Sequence, residues 1–460
     1  MDELTCISPV DGREVARRRV AAPAEIARAV ERARAAQRDW ALVPLAERCR
    51  TMLRFVEAME TLNPEIVPEL AWQMGRPVRY AGELRSLVER VTAQVASAEA
   101  ALAPDIAEES GVARRFVARV PAGLVLVIAP WNYPFLTAAN TIVPALLAGN
   151  AVLLKHASQT LLAGERFAQA LDMAGLPEGL FANLFLTHED TARLLGAGMV
   201  DHATFTGSVE GGRAIERAAA GSLTTLTLEL GGKDPALVRA DADVAHAVDG
   251  LVDGSFYNSG QSCCGVERIY VHEKVWQNFL DGFVAATERY RLGDPLDPET
   301  SLGPMANERL ASKVRDQVAA ALAAGARAHV AAELFTGDRP GTPYLMPQVL
   351  TGVDHAMAVM REESFGPVVG IMKVGNDDEA VRLMNDSAYG LTASIWTADL
   401  DAAARLAPMI EAGTVFANRC DYLDPALAWT GVKQSGRGAS LGRYGFDSVT
   451  RPRSFHLRRA

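Results

Sequence analysis

The sequence predicts an α/β fold built as two lobes. Short apolar runs alternate with helix-length segments from Phe116 to Leu230, which implies right-handed crossovers and a mostly parallel sheet. A second alternating block runs from Glu267 to Asn418. The chain has 460 residues and is 49% hydrophobic, enough to bury more than one core.

The elements follow in order. Residues 23–60 and 78–103 are rich in Ala, Arg and Glu with recurring apolar positions and read as helices. Strands are expected at 116–120, 123–129 and 151–155; the second, Gly-Leu-Val-Leu-Val-Ile-Ala, suits a strand covered on both faces. A helix at 161–174, a strand at 181–186, a helix near 190–195, a strand at 202–206, a helix at 209–220 and a strand at 225–230 complete the first block. In the second, Trp276, Phe279, Leu280, Phe283 and Val284 form one face of an amphipathic helix. Strands are expected at 267–272, 368–374, 392–397 and 414–418, and helices at 308–324, 377–385 and 400–411. The lobes meet near Gly231.

Composition removes several classes. Lys plus Arg number 46 against 56 Asp plus Glu, a formal net charge of −10, so neither nucleic acid nor an acidic membrane is an expected partner. No apolar stretch of membrane-spanning length occurs, and the N-terminus has no basic-then-apolar leader pattern. The five cysteines, Cys6, Cys49, Cys263, Cys264 and Cys420, show neither a disulfide framework nor metal-ligand spacing. A reducing cytoplasm and no metal are the expectation.

Five constellations can carry chemistry. Gly260-Gln261-Ser262-Cys263-Cys264 offers a thiol nucleophile, or two small buried hydrophobes. Pro130-Trp131-Asn132-Tyr133-Pro134 follows an apolar strand, where Asn132 can donate to an oxyanion or stiffen a turn. Phe205-Thr206-Gly207-Ser208 opens a helix, either for a phosphate or as a plain N-cap. Glu229 ends a strand beside Gly231-Gly232, as a general base or a solvated acid. Glu362-Glu363-Ser364-Phe365-Gly366-Pro367 can hold sugar hydroxyls or flank a turn.

The joint order of these stretches, with Lys155 and Lys433-Gln434-Ser435-Gly436, resembles the aldehyde dehydrogenase superfamily over essentially the whole chain. The resemblance implies a fold of two Rossmann-like lobes plus a small β flap for oligomerisation. It places a cofactor-binding domain at 1–102 and 121–231, a catalytic domain at 232–448 and the flap at 103–120 and 449–460. Cys263 is implied as the nucleophile, Asn132 with the Cys263 N–H as the oxyanion hole, and Glu229 as the base for deacylation. NAD or NADP is implied as cofactor. Trp131 would line its cleft, Ser208 contact the pyrophosphate with Gly207 and Gly212 permitting the turn, Lys155 reach the adenosine ribose, Glu363 hold the nicotinamide ribose and Phe365 pack near that ring. An aldehyde is the implied substrate and a homodimer or homotetramer the implied assembly.

The chain departs from the family pattern at several points. Ser158 stands where many NAD-preferring members carry Glu, so NADP use is expected. His156 stands where Pro is frequent. A Lys and a Glu of a proton relay are matched by Thr141 and Ser440, leaving hydroxyls, backbone or water to carry the proton. Ala428-Trp429-Thr430-Gly431 replaces the usual Pro-Phe-Gly-Gly. No Arg or Lys lies between Asn132 and Lys155, which counts against succinic semialdehyde. Asp421 and Asp424 are either solvated loop acids, the commoner fate of Asp, or a dock for a cationic aldehyde. Tyr133, Phe135, Tyr257 and Trp429 suggest an aromatic mouth. Two other readings compete: a CoA-acylating semialdehyde dehydrogenase, disfavoured by Glu229, and a non-catalytic cofactor-binding protein, disfavoured by the survival of Cys263, Asn132 and Glu229 together.

Overall fold

The computed structural model describes residues 2–459; Met1 and Ala460, the outer limits of the expected domain boundaries, lie outside the described residues. The first sheet runs Phe181–Asn183, Ala151–Lys155, Leu124–Ile128, His202–Thr206, Thr225–Glu229, all parallel, with Gly436–Arg437 added antiparallel at the end. Alternation along Leu124–Ile128 explains its unbroken apolar sequence. Val125 and Val127 enter one core with helices Leu45–Met74, Leu84–Leu102, Pro134–Ala148 and Leu161–Met173, while Leu124, Leu126 and Ile128 enter another with Pro23–Trp40 and Val209–Ala219.

The second sheet has the order Arg327–Ala328, Gln348–Thr351, Val368–Val374, Val266–His272, Asp234–Val238, Thr392–Trp396, Thr414–Ala417, parallel except for its first short strand. Two cores again cover its two faces. The chain passes between the sheets at 230–233. That crossing is pinned: Gly232 N–H donates to Glu363 Oε1 at 3.0 Å and Ser435 Oγ to the Gly231 carbonyl at 2.7 Å. Asp105–Glu109, Ala113–Pro121 and Thr450–Arg458 form a separate antiparallel sheet, in which Thr450–Arg458 pairs along its full length with Ala113–Pro121 and leaves its other side open.

Several expected elements change. The helix expected over 23–60 is two, Pro23–Trp40 and Leu45–Met74, divided at Pro44, which lacks the N–H a continuing helix needs. The second continues through Pro64 and Pro68 to Gly75, because Leu62, Ile66 and Leu70 hold it against the core. The next helix begins at Leu84, after left-handed Ala81 and Gly82. The helix over 400–411 stops at Leu406, before Pro408. Pro134–Ala148 escapes sequence reading because it is apolar on nearly every face and carries no amphipathic period. Asp234–Val238, Val244–Phe256, Gln348–Thr351 and the N-terminal hairpin of Glu3–Ile7 with Glu14–Arg19 are also additional. Among the described residues no helix is long and apolar enough to cross a membrane.

Candidate active site

The thiol loop is a strained segment held from several sides. Asn258, Ser259 and Gly260 have φ of +53°, +57° and +69°, three successive left-handed residues. A Cβ on Gly260 would lie 2.4 Å from the Gly366 carbonyl oxygen, so only glycine fits. Ser259 Oγ donates to the Gly303 carbonyl at 2.8 Å. The Gln261 side chain accepts from Ala306 N–H at 2.8 Å and donates to the Asn258 carbonyl at 3.1 Å. Cys263 emerges half-buried from this framework. Cys264 is buried, and its thiol donates to Asp421 Oδ1 at 3.0 Å, an oxygen that also accepts from Ser262 Oγ at 2.8 Å. A hydrogen bond with Cys263, burial and the Asp421 carboxylate hold the Cys264 thiol well above the ordinary thiol range. Cys264 is therefore a neutral neighbour.

Asn132 is 4% exposed and its Nδ2 donates to the Gln261 carbonyl at 3.0 Å, which orients the amide and leaves its second N–H free for a reacting oxygen. Its own carbonyl accepts from Arg76 Nη2 at 2.5 Å and Asn258 Nδ2 at 3.2 Å. Arg76 pairs with Glu83 at 2.7 Å, both side chains buried, and Glu83 Oε2 accepts the first N–H groups of helix Pro134–Ala148, from Phe135 and Leu136. The loop bearing Asn132 is thus tied to a buried ion pair that also caps the helix behind it.

Glu229, read from sequence as a base or a solvated acid, is 8% exposed and in no salt bridge among the described residues. Its carboxylate accepts from Ser440 Oγ and, at 3.3 Å, from Thr206 Oγ1. Burial pushes its pKa up, against the two hydroxyls that favour the charged form. Thr141, the other relay position, is buried on helix Pro134–Ala148.

A cleft of about 700 Å³ lies along the C-terminal ends of the first sheet's strands, where open α/β sheets place ligands. Trp131, Asn132, Gly207, Ser208, Glu229, Cys263, Glu363 and Phe365 all border it. Ser208 caps helix Val209–Ala219 by accepting from Gly211 N–H at 3.1 Å. Gly212 lies behind, where a Cβ would strike Leu230 at 2.6 Å. Phe365, at φ +54°, meets Trp131 edge-on with ring centres 5.6 Å apart. Burial first, and then Glu267, push the Glu363 carboxyl up to about 7. Lys155 and Ser158 are not brought into this lining. Lys155 ends its strand half-buried, its pKa lowered by burial, and Ser158 is exposed on the following turn. His156 is buried, bridging the Pro134 carbonyl at 3.1 Å and Thr160 Oγ1 at 3.2 Å, which accounts for a side chain at that position.

A second cavity opens on the opposite side of the thiol loop, bordered by Ser262 and Cys264 but not Cys263. Residues 262–264 therefore form the wall between two chambers. Tyr133 and Tyr257 line the second one, whereas Phe135 packs in the core against Phe167 and Trp429 is buried beside Cys264 and Leu441, correcting the expected aromatic mouth. Asp421 also lines it and is no solvated loop acid, since Ser262 and Cys264 hold it inward; Asp424 instead caps the local turn through Ala426 N–H.

The profile of the aldehyde dehydrogenase family matches residues 1–455. The chain is 37% identical to an aldehyde dehydrogenase of Paenarthrobacter nicotinovorans, covering 92% of this chain and 93% of that one. It is 34% identical to succinate-semialdehyde dehydrogenase [NADP(+)] 1 of Mycobacterium bovis, covering 96% and 97%. The chain belongs to the aldehyde dehydrogenase family. Two solved structures superpose closely on this aldehyde dehydrogenase. The succinic semialdehyde dehydrogenase of Streptococcus pyogenes with NADP+ has a TM-score of 0.92 at 27% identity, covering 99% and 100% of the two chains. PnpE with nicotinamide adenine dinucleotide has a TM-score of 0.94 at 28% identity, covering 99% and 94%. Oxidation of an aldehyde with NAD or NADP is the activity of the family.

Sequence reading of this aldehyde dehydrogenase missed Arg76, Glu83 and Arg90. The first two act through Asn132, and nothing in their local sequence points there. Arg90 lines the second cavity from helix Leu84–Leu102. The stretch between Asn132 and Lys155 itself carries no Arg or Lys, and Arg90 comes from a different element. An Arg among the charged positions of a helix gives no sequence sign of facing inward.

Proposed function

We propose that this enzyme oxidises its aldehyde to the free carboxylic acid through a covalent intermediate on Cys263. The thiolate of Cys263 adds to the aldehyde carbon, forming a C–S bond and a negatively charged oxygen. The free N–H of Asn132 Nδ2 and the Cys263 backbone N–H stabilise that oxygen. Oxidation of the resulting thiohemiacetal to a thioester needs a hydride acceptor, which an oxidised nicotinamide held by Trp131, Glu363 and Phe365 would supply. Glu229 then takes a proton from water, the hydroxide attacks the thioester carbonyl, the C–S bond breaks and the acid departs, restoring the thiolate. Ser440 and Thr206 keep the Glu229 carboxylate oriented while it waits.

The cleft's chemistry suits a dinucleotide. The first turn of helix Val209–Ala219 offers N–H groups toward a pyrophosphate beside Gly207 and Ser208, Glu363 offers a carboxylate to ribose hydroxyls, and Trp131 with Phe365 offers apolar ring faces. We assign Lys155 and Ser158 to the adenosine end, where the absence of an acid at 158 favours tolerance of a 2′-phosphate. We divide the chain as the sheets divide: cofactor-binding at 1–102 and 121–231, catalytic at 232–448, flap at 103–120 and 449–460. Gly436–Arg437 reaches back onto the cofactor sheet. The open edge of Thr450–Arg458 supports a homodimer or homotetramer, and five free cysteines support a cytoplasmic location.

The observation that carries this reading is that Cys263, Glu229 and Asn132 border one cleft together. A panel of aldehydes with NAD and NADP, followed at the reduced-nicotinamide absorbance, tests it. Free acid with no acyl-CoA when CoA is supplied, and no turnover by Cys263→Ala, are expected. Acyl-CoA as product would favour the CoA-acylating alternative, and no turnover with any aldehyde would leave the non-catalytic one.

A further inference from the structure

We propose that Glu267, paired with Lys233, is a positioning residue for hydride transfer, fixing Glu363 and Phe365 against the nicotinamide end of the cleft. The inference rests on the reading of those two residues as nicotinamide contacts and extends it to what sets their geometry.

Among the described residues, two ion pairs have both side chains almost wholly out of water. Arg76 with Glu83 supports the loop bearing Asn132. Lys233 Nζ with Glu267 has no part in the chemistry derived above. Lys233, Glu267 and Ser364 are all buried. They stand at the starts of three neighbouring parallel strands: Lys233 just before Asp234–Val238, Glu267 as the second residue of Val266–His272, and Ser364 ahead of Val368–Val374. A buried ion pair is a poor route to stability, since apolar groups of the same volume often do as well or better. The purpose of this one is visible in where its hydrogen bonds go.

Both members of the pair turn to the segment 363–365. Glu267 Oε1 accepts from Phe365 N–H at 2.9 Å and Oε2 from Ser364 N–H at 2.8 Å, while Lys233 Nζ donates to Ser364 Oγ at 3.1 Å. Phe365 needs such a hold. Its φ of +54° is a conformation that a large side chain adopts only when its surroundings impose it. Two successive N–H groups converging on one carboxylate impose it, and the ring is delivered edge-on to Trp131 at the cleft. Glu363 is set from the same side. Gly232 N–H, one residue before Lys233, donates to its Oε1 at 3.0 Å, and a Cβ on Gly231 would lie 2.3 Å from that oxygen. Arg268 Nε, next to Glu267, donates to the Lys233 carbonyl at 2.8 Å and so locks the crossing segment to the strand that carries Glu267.

The consequence is selective. Among the described residues, the side-chain hydrogen bonds of Lys233 and Glu267 go to each other, to Ser364 and to Phe365, and none to Cys263, Asn132 or Glu229. Loosening the pair therefore disturbs the nicotinamide end of the cleft and not the thiol that captures the aldehyde. The N–H groups beside Ser208 remain for the pyrophosphate, but the contacts that align the ring lose their support, and transfer between two reactants depends steeply on alignment.

The test uses Glu267→Gln, which keeps the volume and removes the charge, in the whole enzyme. Binding of NAD and NADP, followed by quenching of protein fluorescence, should weaken about tenfold, the size of a lost hydrogen bond to a charged group. The kcat should fall by about tenfold, with a larger primary isotope effect from an aldehyde deuterated at its carbonyl carbon. KM for the aldehyde, and the rate at which iodoacetamide alkylates Cys263 without cofactor, should stay within about threefold of wild type. Equal losses in cofactor binding, aldehyde KM and alkylation rate would mark a general structural fault and overturn the assignment, as would cofactor binding and an isotope effect unchanged from wild type. If Glu267→Gln does not fold, Ser364→Ala decides, because it deletes only the hydroxyl that Lys233 reaches. A loss of cofactor affinity of roughly twofold to tenfold with unchanged alkylation supports the pair, and no loss sinks it. A wild type that binds neither dinucleotide, or whose binding is unaffected by both Glu363→Gln and Phe365→Leu, would instead remove the reading of the cleft beneath it.

Discussion

Asn132 is held at two points: its backbone carbonyl accepts from Arg76 and Asn258, and its side-chain Nδ2 is aimed by the Gln261 carbonyl. Replacing it with Ala should lower kcat about 10²–10³-fold, the usual result of removing one oxyanion donor, as steady-state kinetics would measure. The two adjacent thiols should behave differently. Iodoacetamide with peptide mapping should label Cys263 and spare Cys264, whose thiol is buried and held protonated. Glu229 gives a pH prediction. Burial raises its pKa, Ser440 lowers it, and only the deprotonated form can take a proton from water. Activity should fall as pH drops through that value. Ser440→Ala removes a group favouring the charged form, so the acid limb of the kcat profile should move to higher pH; an unmoved or lowered limb would refute the coupling. At this scale the sequence was readable as far as naming Cys263, Asn132 and Glu229 by residue type, three side chains that border one cleft. It was silent on inward-facing charges such as Arg90, because spacing along a helix does not reveal what faces it.

Three elements meet behind the loop bearing Asn132, and Glu83 joins them. It pairs with Arg76 and caps helix Pro134–Ala148 at once. Glu83→Ala leaves a buried guanidinium without its partner and should cost about 3–5 kcal/mol in denaturant unfolding, with a fall in kcat as Asn132 loses its support. Gly260→Ala should be comparably damaging for a different reason, since left-handed φ and the Gly366 carbonyl both exclude a side chain. The strands of the first sheet were legible as continuous apolar runs because helices cover both faces. Helix Pro134–Ala148 was not, since a helix buried all round has no periodic stripe to read, and the break at Pro44 came from one missing N–H inside an otherwise uniform helical composition.

At the level of the whole molecule, the third sheet ends in a long strand whose outer edge carries unpaired backbone groups. Such an edge invites pairing with another copy, so light scattering should report a multiple of the 49.2 kDa chain mass, and a chain cut after Val449 should report a single mass. The two-lobe plan was legible from alternation, and the bridging role of Gly436–Arg437 was not, because a two-residue strand leaves no pattern. The thin partition formed by residues 262–264 has a kinetic meaning of its own. Each chamber has its own doorway, so neither reactant needs to leave for the other to arrive, and the sulfur of Cys263 itself borders only the first. A bulky blocker lodged against Tyr133 and Tyr257 should slow aldehyde capture while leaving dinucleotide affinity untouched, so traffic through one doorway can be throttled without closing the other.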